Sequence, residues 1–279
     1  KAIRRQRQMC IRDSDYSEGV KTAYPQGVQA KEFILPKELL KQDCVISLSK
    51  MKTHALERIT GAVKNSYGFV YGFHKAKGHT QYPSADSFAR MLIDLNKCVA
   101  PKLYVMDGIV AMEGNGPGSG DPVPMNVLLM STDPVALDSV FSRLVYLKPE
   151  MVPTNYHGEK MGLGTWKEEE ITLLTPDGEI SMAEAVKKYG NPAFNVDRTE
   201  VRKNIWTRMA GALNIFQKKP YIEADKCVRC GICVQSCPVP GKAVDFRKGK
   251  GKPPVYDYRK CIRCFCCQEM CPKKAIKVK

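Results

Sequence analysis

The chain has 279 residues, 43% of them hydrophobic, with 44 Lys+Arg against 29 Asp+Glu, which is room for one large domain or two ordinary ones. No apolar run approaches the ~20 residues that a membrane-spanning helix needs, so no membrane span is expected. The positive charge is local: residues 201–279 hold 19 Lys+Arg against 5 Asp+Glu and residues 1–14 hold five against one, which leaves 15–200 weakly acidic.

Residues 8–14 (QMCIRDS) back-translate as CAG-ATG-TGT-ATA-AGA-GAC-AGY, which contains a transposon end used to build sequencing libraries. Residues 1–14 are therefore expected to be a translated adapter joined to a gene fragment, with the natural N-terminus missing. The alternative is a genuine basic leader, so a signal peptide is neither indicated nor excluded.

Residues 15–200 read as an α/β domain in which strands alternate with helices. Residues 43–48 form a short apolar run, expected as a buried strand. Residues 87–99 carry Phe88, Met91, Leu92 and Leu95 at helical spacing. Residues 103–106 and 127–130 read as further strands. Asp133 caps a helix that starts at Pro134 and is expected to run through Val140, Leu144 and Leu147. The alternation implies a layered α/β body. Residues 166–220 are transitional, with an edge strand at 171–174 before a turn at Pro176-Asp177-Gly178. Residues 201–219 read as a connecting helix and linker, and 220–279 as a small α+β two-cluster domain of ferredoxin type.

That last region contains a repeat. Lys226-Cys227-Val228-Arg229-Cys230 returns as Lys260-Cys261-Ile262-Arg263-Cys264, and Cys237-Pro238 returns as Cys271-Pro272. Nine of the 12 cysteines lie between Cys227 and Cys271, and only Cys10, Cys44 and Cys98 lie elsewhere. A secreted disulfide scaffold spreads its cysteines through a short chain, whereas C-x-x-C clustering points to a metal and to a reducing, cytoplasmic compartment. Each copy reads C-x2-C-x2-C-x3-C-P, the spacing of two-cluster bacterial ferredoxins, in which the fourth cysteine ligates the other cluster. Two 4Fe–4S clusters are expected, one on Cys227, Cys230, Cys233 and Cys271, the other on Cys261, Cys264, Cys267 and Cys237. Structural zinc uses two C-x-x-C pairs without a crossed repeat. Cys266 is left over, either as a packing residue or as a substitute ligand. Phe265 stands where the first copy has Gly231, so the two cluster surroundings differ.

The basic tail suits an acidic redox protein, of ferredoxin or flavodoxin type. A solvated face that neutralises cluster charge explains the same residues. Nucleic acid is disfavoured, because no nucleic-acid-binding fold signature accompanies the charge.

The body carries a series of polar motifs in order: Lys50-Met51-Lys52-Thr53-His54, Thr60-Gly61-Ala62-Val63-Lys64-Asn65, Gly78-His79, Asp94-Leu95-Asn96, Met106-Asp107-Gly108, Glu113-Gly114-Asn115-Gly116-Pro117 and Asp133-Pro134-Val135-Ala136-Leu137-Asp138. Over residues 32–173 this resembles the family called domain of unknown function 362, whose members often carry a C-terminal ferredoxin module. The resemblance implies architecture but no reaction, and it implies that an N-terminal α/β portion is missing here. Polar residues at the carboxyl ends of strands in open α/β sheets line the ligand crevice. Lys52, His54 and Lys64 could thus bind a small anionic substrate, with His54 or His79 as proton donor; for each residue singly, a structural role is the alternative. The glycines 114, 116, 118 and 120 could cradle phosphate or form an ordinary surface loop, and they match no standard phosphate motif. Asp133 and Asp138 read as helix cap and polar face. Three functions follow: electron transfer to or from the body, an oxidoreductase acting on a small anion, or a redox-sensing or partner-binding module.

Overall fold

A computed structural model describes residues 18–200 and 219–279, apart from 73, 117–119, 248 and 279. The adapter segment at 1–14 and the connecting helix expected within 201–218 lie outside the described residues. The body starts with an antiparallel hairpin of β1 (Gly19–Ala23) and β2 (Glu32–Pro36). Its loop is pinned by Asp94, whose carboxylate accepts from the backbone N–H groups of Val28, Gln29 and Ala30 at 2.9, 2.6 and 2.8 Å.

Next come β3 (Ile46–His54), β4 (Arg58–Thr60), α1 (Ala62–Asn65), α2 (His74–Gln81), α3 (Ala85–Val99), β5 (Leu103–Glu113), β6 (Asp121–Ser131), α4 (Pro134–Leu144) and α5 (Pro153–Lys160). One sheet results, in the order β4-β3-β5-β6. The central β3–β5 pair is parallel and both flanking pairs are antiparallel. The body is thus an α/β arrangement around a mixed sheet. Helix α3 forms where expected: Ser84 and Ser87 cap it reciprocally, and Phe88, Met91, Leu92 and Leu95 are buried. Asp133 caps α4 as its sequence indicates, accepting from Val135 and Ala136 N–H at 2.7 and 2.9 Å. That helix ends at Leu144, short of Leu147.

Three expectations need correction. The strand expected at 43–48 begins at Ile46 and takes in the whole polar segment 50–54, so Lys52 and His54 are strand residues. It is also buried on one face only: Ser47, Ser49, Met51 and Thr53 turn to the helices, while Ile46 and Leu48 are 53% and 72% exposed. Strand alternation explains this, since successive side chains point to opposite faces and the helices cover one face. Leu128, Met130, Ile109 and Val110 extend the same open apolar face. Asp138 is not on a polar face; it is fully buried, and it accepts from Ala62 and Val63 N–H at the start of α1. A short hairpin of β7 (Leu173–Thr175) and β8 (Gly178–Ile180), followed by α6 (Met182–Tyr189), completes the body.

The cysteine-rich module carries β9 (Pro220–Ile222), α7 (Ile232–Gln235), β10 (Val244–Asp245), β11 (Val255–Tyr256), α8 (Cys266–Glu269) and β12 (Ile276–Val278). Strands β9 and β12 pair antiparallel and close the module at its chain ends, and β10 pairs with β11. Each short helix follows a residue in the left-handed region, Gly231 at φ 77° and Phe265 at φ 60°. Glycine adopts that conformation freely, whereas Phe265 holds it at a steric cost.

Candidate iron–sulfur centre and its seat on the body

The repeat brings its cysteines together in two groups, around two hollows. One is lined by Cys227, Cys230, Cys233 and Cys271, together with Ile222 and Ile232. The other is lined by Cys237, Cys261, Cys264 and Cys267, together with Tyr256 and Phe265. All eight are free of disulfides. Four convergent thiols in an otherwise apolar hollow form a donor set that fits a 4Fe–4S cubane. Matching backbone donors serve the fourth cysteine of each copy: Ala243 N–H reaches Cys237 Sγ and Ala275 N–H reaches Cys271 Sγ, both at 3.3 Å. The second hollow has additions. Tyr256 O–H donates to Cys267 Sγ at 3.1 Å. Cys266 hydrogen-bonds the sulfur of Cys264, and this raises the Cys266 thiol above its ordinary value.

The two hollows differ in exposure. Cys230 is exposed, whereas Cys264 and Cys267 are buried. Cys267 of the second hollow lies on α8, the helix that meets the body. Gln268 Nε2 donates to the carbonyls of Asn115 and Gly116 at 2.7 and 3.1 Å. Asn115 Nδ2 returns a bond to Ile276 O at 3.0 Å, and Lys274 Nζ donates to Gly120 O at 3.1 Å. The loop after β5 is therefore a docking loop. Two of its N–H groups face inward: Gly114 N–H donates to Asn195 O, and Gly116 N–H to Gly114 O and Thr53 Oγ1. These two are thus not turned to an anion, and Gly118 lies outside the described residues. A Cβ on Gly116 would collide with the carbonyl of Thr53, which is why the close approach needs glycine.

The body residues singled out from sequence lie at this junction, near the carboxyl end of β3. Both ring nitrogens of His54 are engaged. Nδ1 accepts from Leu56 and Glu57 N–H, each at 3.1 Å, so Nε2 carries the proton and donates to Glu269 Oε1 at 3.0 Å. Burial, then the Lys64 charge, lowers the His54 pKa. Burial would raise Glu269, but Lys64, the His54 hydrogen bond and charge, and His79 bring it down from 4.5 to about 2. Glu269 is therefore an anion held among these cationic and imidazole groups.

Lys52 is half-buried on β3, and its pKa is lowered by burial and by the charges of Lys64 and Lys50. Lys64, at the end of α1, acts electrostatically on Lys52, His54, Glu57, His79 and Glu269. His79 is buried, stacks on Phe88 with ring centroids 4.5 Å apart, and is pushed down by burial to about 4. It is neutral at pH 7, which removes it as a ready acid. Tyr67, edge-on to His79, lies within electrostatic reach of Cys264 and Cys266.

Sequence reading missed Glu269, Gln268 and Glu57. The first two follow Cys267, and nothing local marks Gln268 as a contact to a loop 153 residues away or Glu269 as a contact to His54, 215 residues away. Glu57 is wholly buried, neither carboxylate oxygen has a hydrogen-bond partner, and burial raises its pKa well above 4.5. The Asp94-Leu95-Asn96 motif is structural: Asn96 bonds Ser66 Oγ, Tyr104 O–H and the carbonyls of Val63 and Leu92.

A chain whose sulfur ligands converge in two sets of four beside an α/β body is of the iron–sulfur class. Residues 5–143 match the family model "Domain of unknown function (DUF362)", and residues 219–272 match that of a 4Fe-4S dicluster domain. The chain thus carries a DUF362 region followed by a 4Fe-4S dicluster domain. The family match begins earlier than residue 32 and stops within α4, short of residue 173. It is 42% identical over 130 residues to the "Thylakoid-associated protein sll1697" of Synechocystis sp., a match spanning 46% of this chain and 40% of that relative. No solved structure matches the chain. Among the described residues, no helix is long and apolar enough to cross a membrane.

Proposed function

We propose that the chain binds two 4Fe–4S clusters by crossed ligation and acts as an electron carrier with an outer and an inner cluster. Cys227, Cys230, Cys233 and Cys271 hold the outer one; Cys261, Cys264, Cys267 and Cys237 hold the inner one. Such clusters, when bound, supply one-electron transfer. The observation that carries this reading is the seating of the module, which leaves the outer hollow towards solvent and the inner one against the body. The module has a ferredoxin-like α+β fold, supported by its two repeated ligand loops and short paired strands. Its outer rim is basic, with Arg229 and Lys273 beside the hollow, and suits an acidic redox partner of ferredoxin or flavodoxin type.

The anion among Lys52, His54, Lys64 and His79 is on this reading the chain's own Glu269, so these residues act first as a socket for the module. His54 and Glu269 fix the inner cluster's position, and Lys64 offsets the carboxylate charge. An oxidoreductase acting on a small anion is the second reading. It is favoured by Lys52, a half-buried ammonium within electrostatic reach of Glu269 that donates no side-chain hydrogen bond among the described residues. A redox-sensing role would use the same socket without turnover.

Anaerobic reconstitution should give roughly eight irons per chain and a broad absorption near 400 nm. A colourless zinc protein would overturn the reading. Reduced protein mixed with candidate acceptors then separates carrier from enzyme: a carrier reoxidises with an acidic redox protein, and an enzyme with a small anionic metabolite alone.

A further inference from the structure

The two copies of the repeat can be compared position by position. Tyr256 corresponds to Ile222, and Cys266 to Ile232. Ile222 and Ile232 both line the outer hollow and offer no hydrogen bond to it. Tyr256 lines the inner hollow and places its O–H 3.1 Å from Cys267 Sγ. The backbone donors on Cys237 and Cys271 are alike in the two copies, both at 3.3 Å. The phenol of Tyr256 is therefore the side-chain donor that differs, and it falls on a ligand of the inner cluster.

Tyr256 is also held in place. Its ring stacks on Tyr258 with centroids 5.6 Å apart and planes at 15°, and Tyr258 O–H is tied to Pro220 O at 2.8 Å. A phenol fixed in this way aims its proton at one sulfur. Hydrogen bonds to cluster sulfur draw off negative charge and stabilise the reduced, more negative form, so they raise the reduction potential. Burial and the Glu269 carboxylate act in the opposite sense on the same cluster, since both disfavour added negative charge.

We infer that Tyr256 is a positioning donor that holds up the potential of the inner cluster alone, offsetting its burial so that it can accept an electron from the outer one. The inference rests on the crossed ligation proposed above.

The test is a redox titration followed by electron paramagnetic resonance on reconstituted full-length protein. Wild type should show two reducible centres; a single centre would defeat the ligation reading itself. With two centres present, Tyr256→Phe should move one midpoint to lower potential and leave the other in place. Glu269→Gln, which removes a negative charge beside the inner loop, should raise that midpoint and so identify it. Midpoints unmoved in Tyr256→Phe would overturn the inference, as would equal movement of both midpoints or movement of the one that Glu269→Gln leaves alone. If Tyr256→Phe fails to load iron, Ile222→Tyr carries the test: a phenol at the matching position of the outer hollow should raise the other midpoint, and an unmoved midpoint there would overturn the inference.

Discussion

The two halves of the cysteine-rich module share a ligand pattern and differ in almost everything around it. The first copy uses glycine at its left-handed position, surrounds its sulfurs with isoleucines and leaves Cys230 in solvent. The second uses Phe265 at a conformational cost, adds Tyr256 and Cys266, and runs into α8, which meets the body. The cysteine spacing is thus common to both copies, and the surroundings differ with what each copy faces.

Several experiments would break or sharpen this contrast. The largest effect is expected from ligand removal: Cys264→Ala should abolish the inner cluster and lower iron from roughly eight to roughly four per chain. Cys266→Ala should leave the iron count intact, and an equal loss in both variants would erase the distinction between ligand and donor. His54→Ala comes next. It strips a charge-assisted hydrogen bond from Glu269 and should cost about 2 kcal/mol of module docking. In a chelator challenge the inner iron should then leave as fast as the outer. If the two irons already leave wild type at one rate, the difference in burial has no kinetic meaning.

A pH series offers a finer test. The folded pKa of His54 is depressed below 6.5, so its contribution is present above pH 6.5 and shrinks as pH falls below it. Glu269, depressed from 4.5 to about 2, contributes above pH 4.5 and is lost as pH falls towards 2. The stability gap between wild type and His54→Ala, read from thermal melts, should be flat above pH 7 and narrow towards pH 5. A gap that widens on acidification would mean the imidazole is charged in the folded state. The smallest effect is expected on the open sheet face, where Leu128→Lys should change folding stability by less than about 0.5 kcal/mol. A large loss there would show that the face is covered by something in solution.

The 4Fe-4S dicluster domain was legible because its cysteine spacing is local, with residues three and four apart written in one stretch of chain. The helices α3 and α4 were legible for the same reason, through Ser84, Asp133 and the apolar spacing that follows each. The polar segment at 50–54 was found, but its role was not. His54 meets Glu269, 215 residues away, and neither residue's neighbours announce the other. The glycine loop was ambiguous in a related way, because glycine permits close approach without saying whether N–H or C=O will face the visitor. Leu48 looked buried because an apolar strand residue reads the same whether a layer covers it or not. Asp138 looked like surface for want of the two N–H groups that α1 brings to it.

Helix α8 packs four tasks into one turn of chain. Cys266 donates a hydrogen bond, Cys267 is read as holding iron, Gln268 grips the backbone of the body and Glu269 enters the histidine socket. The ligand loop and the seat of the module are therefore consecutive in the chain, so a change at any of these four residues is transmitted to both.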